Sequence, residues 1–325
     1  MSEFNFICKK KRFGLRMKKW IATLVILLIC VSAFTYLYIP NTINIKAETD
    51  IPATQQGLHR MLLDKGNVKK WWPGTATDTA LLLHGNQYQF INNNISLLVV
   101  PVNSNHFALH SSLYIVSIQT DSVHLAWVGQ VQAPANPVKR WQVWRAANAI
   151  NNDWAVLLKS MRNFYSNNQN IYGIKVEKAL VADSILITTS ATTLTYPSTE
   201  FIYQLLDKLD AHAVQGGAQK TSNPMLNIEK NETGNYHVRV AQPLNKALPD
   251  AQGVFCKRML GNGNILVAEV TGPGSRAAEA YKQIALYASD YQRVPPAIAF
   301  YSLVTNRRTQ TDSSKWVTKI YFPVM

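Results

Sequence analysis

Hydrophobic and polar positions divide the chain into three parts with different periodicities. Residues 20–39 form one apolar run without a charge, residues 41–167 combine strand-like alternation with a long helical stripe, and residues 168–325 repeat a mixed pattern twice. An apolar run of about twenty residues is long enough to cross the hydrocarbon core of a bilayer. The pattern therefore predicts an N-terminal transmembrane helix followed by two α+β domains.

The residues on either side of the apolar run predict its orientation. A basic cluster that includes Lys9, Lys10 and Lys11 precedes it within residues 1–19, and Pro40 follows it. Because basic flanks stay on the cytoplasmic side, we expect a single-pass membrane protein with extracytoplasmic domains. A cleaved signal peptide is the alternative. It is disfavoured because the run is longer than a usual signal core and lacks a clear small-residue cleavage site.

The second part opens with a strand pattern and a helix pattern. It continues with five or six short strands over residues 81–131, with a break expected near residue 113, and it ends with apolar residues at helical spacing over 141–164. This order, together with the stretch Lys69-Lys70-Trp71-Trp72-Pro73, resembles the START-like (polyketide cyclase, or SRPBCC) family over about residues 41–167. The resemblance implies a helix-grip fold, in which a sheet curls around a long helix and leaves an apolar cavity.

The third part gives the same succession of elements twice. Each copy has a Pro-containing break, a helix pattern at Glu200–Val214 or Ser275–Tyr291, and two strand patterns. A duplicated strand–helix–strand–strand unit usually packs as a pseudo-dimer with a groove between its halves. Binding in that groove is therefore the first function to consider.

Three stretches of the second copy carry a family resemblance. Ile265–Gly274, Pro296–Tyr301 and Lys315–Val324 are similar, in order and spacing, to the GyrI-like small-molecule-binding family, which is also the effector-binding domain of AraC-type and MerR-type regulators. The resemblance covers residues 168–325 and implies a ligand-binding domain. Together with the anchor and the START-like resemblance, it implies a protein of the bacterial cytoplasmic membrane.

Strand alternation assigns candidate ligand-binding residues to one face of this domain. The more apolar side of each closing strand should pack on the helices, which leaves the other side to the groove. Arg239 and Lys319 hold equivalent positions in the two copies, so we expect them to approach each other across the internal two-fold axis. The predicted site residues are Arg239, Lys319, Tyr321, Glu269, Tyr301 and His237.

The chain departs from the family at one position of this face. Many members have a glutamate where this chain has Lys319, and that carboxylate binds cationic ligands or acts as a general base. An ammonium group with a pKa near 10.4 does neither. Two cations in a partly apolar groove suit a carboxylate or phosphate ligand, which Arg239 can bind bidentately. The alternative is that both cations are solvated, or paired with a neighbour such as Glu269.

Composition excludes several other classes of function. The formal net charge is +14, but the chain has no zinc finger, RNA-binding motif or basic recognition helix, so no nucleic-acid binding is expected. The three cysteines lie far apart and form no CxxC pair, which argues against a metal site or a disulfide framework. No nucleophile with a neighbouring base is visible, so we predict no catalytic residue and no cofactor.

The predicted function is a membrane-anchored protein that senses or sequesters a small amphipathic molecule, with an anion favoured over a cation. One alternative is a hydrolase or cyclase acting on a small hydrophobic substrate. Another is a protein–protein interaction or inhibitor module, which the predicted topology disfavours because the DNA enzymes that such modules inhibit are cytoplasmic. Whether the chain is an enzyme stays open, with binding favoured, and the oligomeric state is not predicted.

Overall fold

The computed structural model describes residues 2–77, 80–92, 97–182 and 184–325, and divides into two compact units. Each contains a curled antiparallel sheet with helices packed on it, so the predicted α+β class is confirmed. The first unit consists of Met1–Ile51, Leu62–Ile118 and Val123–Asn163. The second consists of Pro52–Met61, Gln119–Ser122 and Phe164–Met325.

The N-terminal half begins with one long helix and ends with another, and the strands lie between them. Its elements are α1 (Ser2–Tyr38), β1 (Thr42–Ile51), α2 (Gln55–Leu63), α3 (Lys65–Trp71), β2 (Thr75–Ala76), β3 (Leu81–Leu83), β4 (Asn86–Tyr88), β5 (Ile91–Asn92), β6 (Leu97–Asn103), β7 (Ala108–Gln119), β8 (Ser122–Gln132) and α4 (Pro137–Tyr165).

Helix α1 contains the predicted apolar run. Its segment Lys19–Tyr38 has a mean hydropathy of 2.3 and is long and apolar enough to cross a membrane, a criterion that signal sequences also meet. Only 6% of this segment is buried in the structure.

The sheet of the first unit has the order β1-β8-β7-β6-β4-β3-β2, and β5 pairs with β6. Apolar residues at helical spacing on α4 are buried, which is why this helix forms the centre of the core. Trp154 of α4 and Trp127 of β8 are both fully buried, and their rings stack with centroids 5.1 Å apart. The core of this unit is therefore built around a pair of tryptophans.

Two of the predicted strand boundaries in this unit concern β6 and β7. The break expected near residue 113 is wrong, because β7 runs without interruption through buried Leu113 and Ile115. Ser111 is accommodated in the same strand by a hydrogen bond from Nε1 of Trp127 at 2.9 Å. Residues 93–96, where another predicted strand begins, lie outside the described residues, and β6 starts at Leu97.

The C-terminal half contains the second sheet and its two helices. Its elements are α5 (Asn168–Tyr172), β9 (Glu177–Leu180), β10 (Ser184–Thr193), α6 (Thr199–Gln215), β11 (Met225–Lys230), β12 (Tyr236–Leu244), β13 (Phe255–Met259), β14 (Asn264–Thr271), α7 (Gly274–Asp290), β15 (Phe300–Leu303) and β16 (Val317–Pro323).

The second sheet has the order β13-β10-β12-β11-β15-β16-β14-β9, and its helices cover one face. Helix α6 begins at Ser198, whose side chain accepts a hydrogen bond from the backbone N–H of Phe201 and caps the first turn. Leu206 and Leu209 of α6 join Val238 of β12 in one buried cluster. Alternate residues of β12 therefore point to the helices, and the remaining ones point to the opposite face.

An ion pair between a buried aspartate and a partly exposed arginine joins residues 52–61 to the rest of the second unit. Arg60 Nη2 lies 2.7 Å from Oδ2 of Asp290, and the hydroxyl of Tyr172 donates to the same oxygen at 2.9 Å. Burial raises the pKa of Tyr172, so the phenol stays protonated and can donate. This network fixes a segment that precedes α5 by more than a hundred residues.

We expect the stability of the first unit to depend on the protonation of His124. Its Nδ1 lies 2.7 Å from Oδ1 of Asp50 across the β1–β8 pair, and this hydrogen bond raises the pKa of His124. The stabilisation should be complete below the unfolded pKa of about 6.5 and lost as the pH rises through the raised folded value. His124→Gln should therefore lower the free energy of unfolding by less than about 1 kcal/mol near pH 5.5 and leave it unchanged near pH 9, because exposed pairs are screened.

Urea unfolding of the full chain at the two pH values measures this difference. His106→Gln, at an exposed position, is the matched control and should show no pH-dependent change. An equal loss of stability at both pH values would show that the His124 charge is not involved.

Candidate ligand-binding site

A cavity of about 1040 Å³ opens in the second unit. Its walls come mainly from the strand positions that alternate with the helix-facing ones: β10, β11, β12 and β13 each supply residues of that face. The segment from Pro296 to Phe300, Leu260 with residues 262–265, and Pro323–Met325 also contribute to it. The cavity therefore lies mainly on the side of the sheet that α6 and α7 leave uncovered.

The charged residues described in the cavity wall are all basic. Arg239, Lys257 and Arg258 are among its lining residues, whereas none of the lining residues that the structure describes is Asp or Glu. Fixed positive charge without a lining carboxylate favours an anionic group in the cavity.

The two central cations differ in their partners. Nη1 of Arg239 donates to Oδ1 of Asn227 and to Oε2 of Glu229, both at 2.8 Å, so this guanidinium is held in place and partly neutralised. Lys257 is exposed and lies opposite Leu186 on the edge strand β13, which places it on the cavity side. Among the residues that the structure describes, no carboxylate forms an ion pair with Lys257.

Much of the remaining wall is apolar and open to solvent. Phe255 is 51% exposed, Ile298 is 55% exposed and Leu260 is 74% exposed. Phe300 also lines the cavity, and Tyr321, which is not a lining residue, stacks on it with ring centroids 5.0 Å apart. Exposed apolar side chains around a cationic wall give the cavity an amphipathic character.

The predicted site residues fall into three groups. His237 and Arg239 line the cavity, and Tyr321 supports it through Phe300. Lys319 and Glu269 face each other on β16 and β14, with Nζ and Oε2 3.3 Å apart, and neither is a lining residue. Lys319 is thus paired with Glu269, which was the alternative to a ligand-binding role in the sequence analysis.

Arg239 and Lys319 do not approach each other, contrary to the prediction. They lie on β12 and β16, and β11 and β15 are inserted between those strands. Three strand spacings separate the two backbones by about 14 Å. Each cation instead pairs with a carboxylate, Glu229 for Arg239 and Glu269 for Lys319.

Tyr301, the remaining predicted site residue, lies on the helix side of the sheet and does not line this cavity. It pairs in register with the buried Leu226 and packs against the α6 core cluster. Its ring centroid lies 5.9 Å from that of Tyr281 on α7. Burial raises the pKa of the Tyr301 phenol.

Sequence reasoning missed Lys257 and Phe255 as members of this wall. Both alternate with Cys256 on β13, and this period-two pattern was the available signal. The pairing of β13 with β10, which brings them to the cavity, is not visible in local alternation.

A separate polar cluster lies in the first unit. Asp153 is buried on α4, and its Oδ1 lies 2.6 Å from Nδ1 of the exposed His84, while Asn86 and Tyr88 donate to Oδ2. This arrangement satisfies a buried carboxylate and orients an imidazole at the surface. Within the described residues, no group of three or more His, Cys, Asp or Glu side chains could hold a metal ion.

Comparison with known proteins gives structural neighbours only. No family model and no curated protein matches the chain. Among solved structures, the EcmrR C-terminal domain has 15% identity, with 47% of this chain and 98% of that chain covered and a TM-score of 0.41. EcmrR in its DNA complex has 13% identity, with 57% and 70% covered and a TM-score of 0.42. A hydrolase from Listeria innocua has 10% identity, with 46% and 92% covered and a TM-score of 0.34.

Proposed function

We propose that the chain is a membrane-anchored protein whose second unit binds a small amphipathic anion, in order to sense or sequester it. The observation that carries this proposal is the cavity of about 1040 Å³, with Arg239 and Lys257 in its wall and no lining carboxylate among the described residues. Small-molecule sites have volumes of about 300–1,000 Å³, mostly apolar walls and a few fixed polar groups. The cavity has these properties, and its charge selects the sign of the ligand.

Strand order supports a duplicated GyrI-like architecture for this unit. The order β10-β12-β11 is followed by β15-β16-β14. In each half, the strand that precedes the helix (β10 or β14) lies on the outer side, and the last strand of the half (β12 or β16) lies in the middle. The two halves meet at β11 and β15, as they would around an internal two-fold axis. A sheet packed on the long helix α4 supports the START-like, helix-grip interpretation of residues 41–167.

The membrane part of the proposal rests on Lys19–Tyr38 of α1 and on the basic residues before it. We propose one span, with both units on the extracytoplasmic side of a bacterial cytoplasmic membrane. We propose no nucleic-acid binding, because the excess of basic residues forms no recognition motif in the sequence.

We expect Lys257→Ala to weaken the binding of anilinonaphthalene sulfonate, an amphipathic anion, by about ten-fold. That factor corresponds to losing one charge-assisted contact of about 1.5 kcal/mol. Lys257 is exposed on an edge strand, so the variant should keep the stability of the parent. Fluorescence titration of the full chain gives the affinity, and mass spectrometry under native conditions identifies any anion that copurifies.

Lys319→Ala is the matched control, because it removes the same charge from the same sheet outside the cavity. It should bind the sulfonate as the parent does. Tetraphenylphosphonium, an apolar cation, should compete poorly. Equal losses for the two lysine variants, or preferential binding of the phosphonium, would refute the anion site.

A further inference from the structure

The last turn of α1 is docked on the first unit rather than leading into a flexible linker. Ile39 is fully buried, and β1 begins at Thr42, only a few residues after the helix ends. The hydroxyl of Tyr36 donates to the backbone carbonyl of Ala135, just before α4 begins. The ring of Tyr38 meets that of Trp144 on α4 edge-on, with centroids 5.5 Å apart.

Arg140 closes this junction from the side of α4. It is 3% exposed, and its Nε and Nη2 donate to the backbone carbonyl of Ile39 at 3.1 and 2.6 Å. Nη2 also donates to Oδ1 of Asn41 at 2.8 Å, and the guanidinium lies 5.0 Å from the centre of the Tyr36 ring. A buried arginine bound to a helix C-terminus satisfies carbonyl groups that would otherwise lack donors. The direction in which α1 leaves the first unit is therefore fixed.

The same contacts place the start of α4 at the level of the last turn of α1. On its outer side this part of α4 presents Val138, which is 66% exposed, and Trp141, which is 39% exposed. Lys139 and Arg145 are exposed beside them. Aromatic and apolar side chains next to basic ones are typical of protein surfaces that lie in the interfacial region of a bilayer.

We propose that the first two turns of α4, together with Tyr36 and Tyr38, form a membrane-contact surface that binds an anionic lipid headgroup layer. This inference rests on the proposed anchoring by α1 and goes beyond it, because a tethered domain need not touch the bilayer. The occupant is a lipid surface because the apolar segment that would enter the bilayer ends within this same cluster of side chains.

The depth of single fluorescent labels in vesicles tests the proposal. The full chain, with Cys8 and Cys256 replaced by serine, keeps Cys30 within the apolar segment as a reporter of insertion. In a second background Cys30 is also replaced, and Val138→Cys or Lys159→Cys carries the label. Lys159 is exposed on the same helix, about 31 Å further along. The vesicles contain phosphatidylcholine bearing a lipid-bound quencher, with or without phosphatidylglycerol.

We expect the label at position 138 to be quenched several-fold more strongly than the label at 159, and more strongly with phosphatidylglycerol present. Quenching of Cys30 with equal, weak quenching at 138 and 159 would overturn the membrane-contact surface while leaving the anchor intact. Absence of quenching at Cys30 would overturn the anchor, and the contact surface with it. Lys139→Cys provides a second position should Val138→Cys fold poorly.

Discussion

Replacing Trp154 by alanine is expected to lower the free energy of unfolding of the first unit by about 3–5 kcal/mol. Trp154 is fully buried and stacks on Trp127 with an angle of 7° between the ring planes. A Cβ atom built on Gly129 would lie 2.9 Å from the Trp154 ring, so the side chain packs directly against the backbone of β8. That strand is held by its ladder with β1 and cannot collapse into the space that the mutation creates.

Urea unfolding of the full chain, followed by circular dichroism, measures the effect. Trp141→Ala is the matched control and should cost less than about 1 kcal/mol, because Trp141 lies at the surface. Trp154→Phe should cost less than Trp154→Ala, since it keeps the ring stack. It also removes Nε1, which is buried without a hydrogen-bond partner among the described residues. Similar losses for Trp154→Ala and Trp141→Ala would show that the stacked pair is not the centre of the core.

Asp290→Ala should destabilise the second unit by about 3 kcal/mol. The carboxylate is 6% exposed and receives hydrogen bonds from Arg60 and Tyr172. Its removal leaves a phenol donor and a partly buried guanidinium without their acceptor. This loss of unfolding free energy lies at the lower end of the range for a broken buried ion pair, because Arg60 is 38% exposed and water can solvate part of it.

Asp210→Ala provides the comparison for Asp290→Ala. Asp210 also pairs with a cation, with 2.5 Å between its Oδ2 and Nζ of Lys220, but both side chains are open to solvent. The loss should stay below about 1 kcal/mol, as for other exposed pairs. If the two aspartate variants unfold at the same urea concentration, the buried network adds no stability of its own.

Local signals in the sequence predicted the elements of the second unit well. The helices expected at Glu200–Val214 and Ser275–Tyr291 are α6 and α7, each within one residue of its predicted ends. Their apolar stripes and the Ser198 cap are properties of neighbouring residues, so they can be read along the chain. The same holds for β12, where alternation assigned Val238 and Arg239 to opposite faces.

Features that depend on which strands are neighbours could not be predicted in this way. Alternation says which residues share a face, but not that β11 and β15 separate Arg239 from Lys319. Tyr301 lies in a strand of four residues, which is too short for alternation to fix its face against an uncertain register. Lys257 entered the cavity wall only through the pairing of β13 with β10. The site therefore differs from the predicted one mainly in strand order and register, which are long-range properties.

The path of the chain through its two compact units bears on how this molecule can be divided. Residues 52–61 belong to the second unit, although they precede most of the first. A fragment starting at residue 168 would consequently contain Asp290 but not Arg60, and would expose a carboxylate that the intact chain neutralises. No single cut in the gene separates the two units, so we expect them to be produced together from one uninterrupted chain.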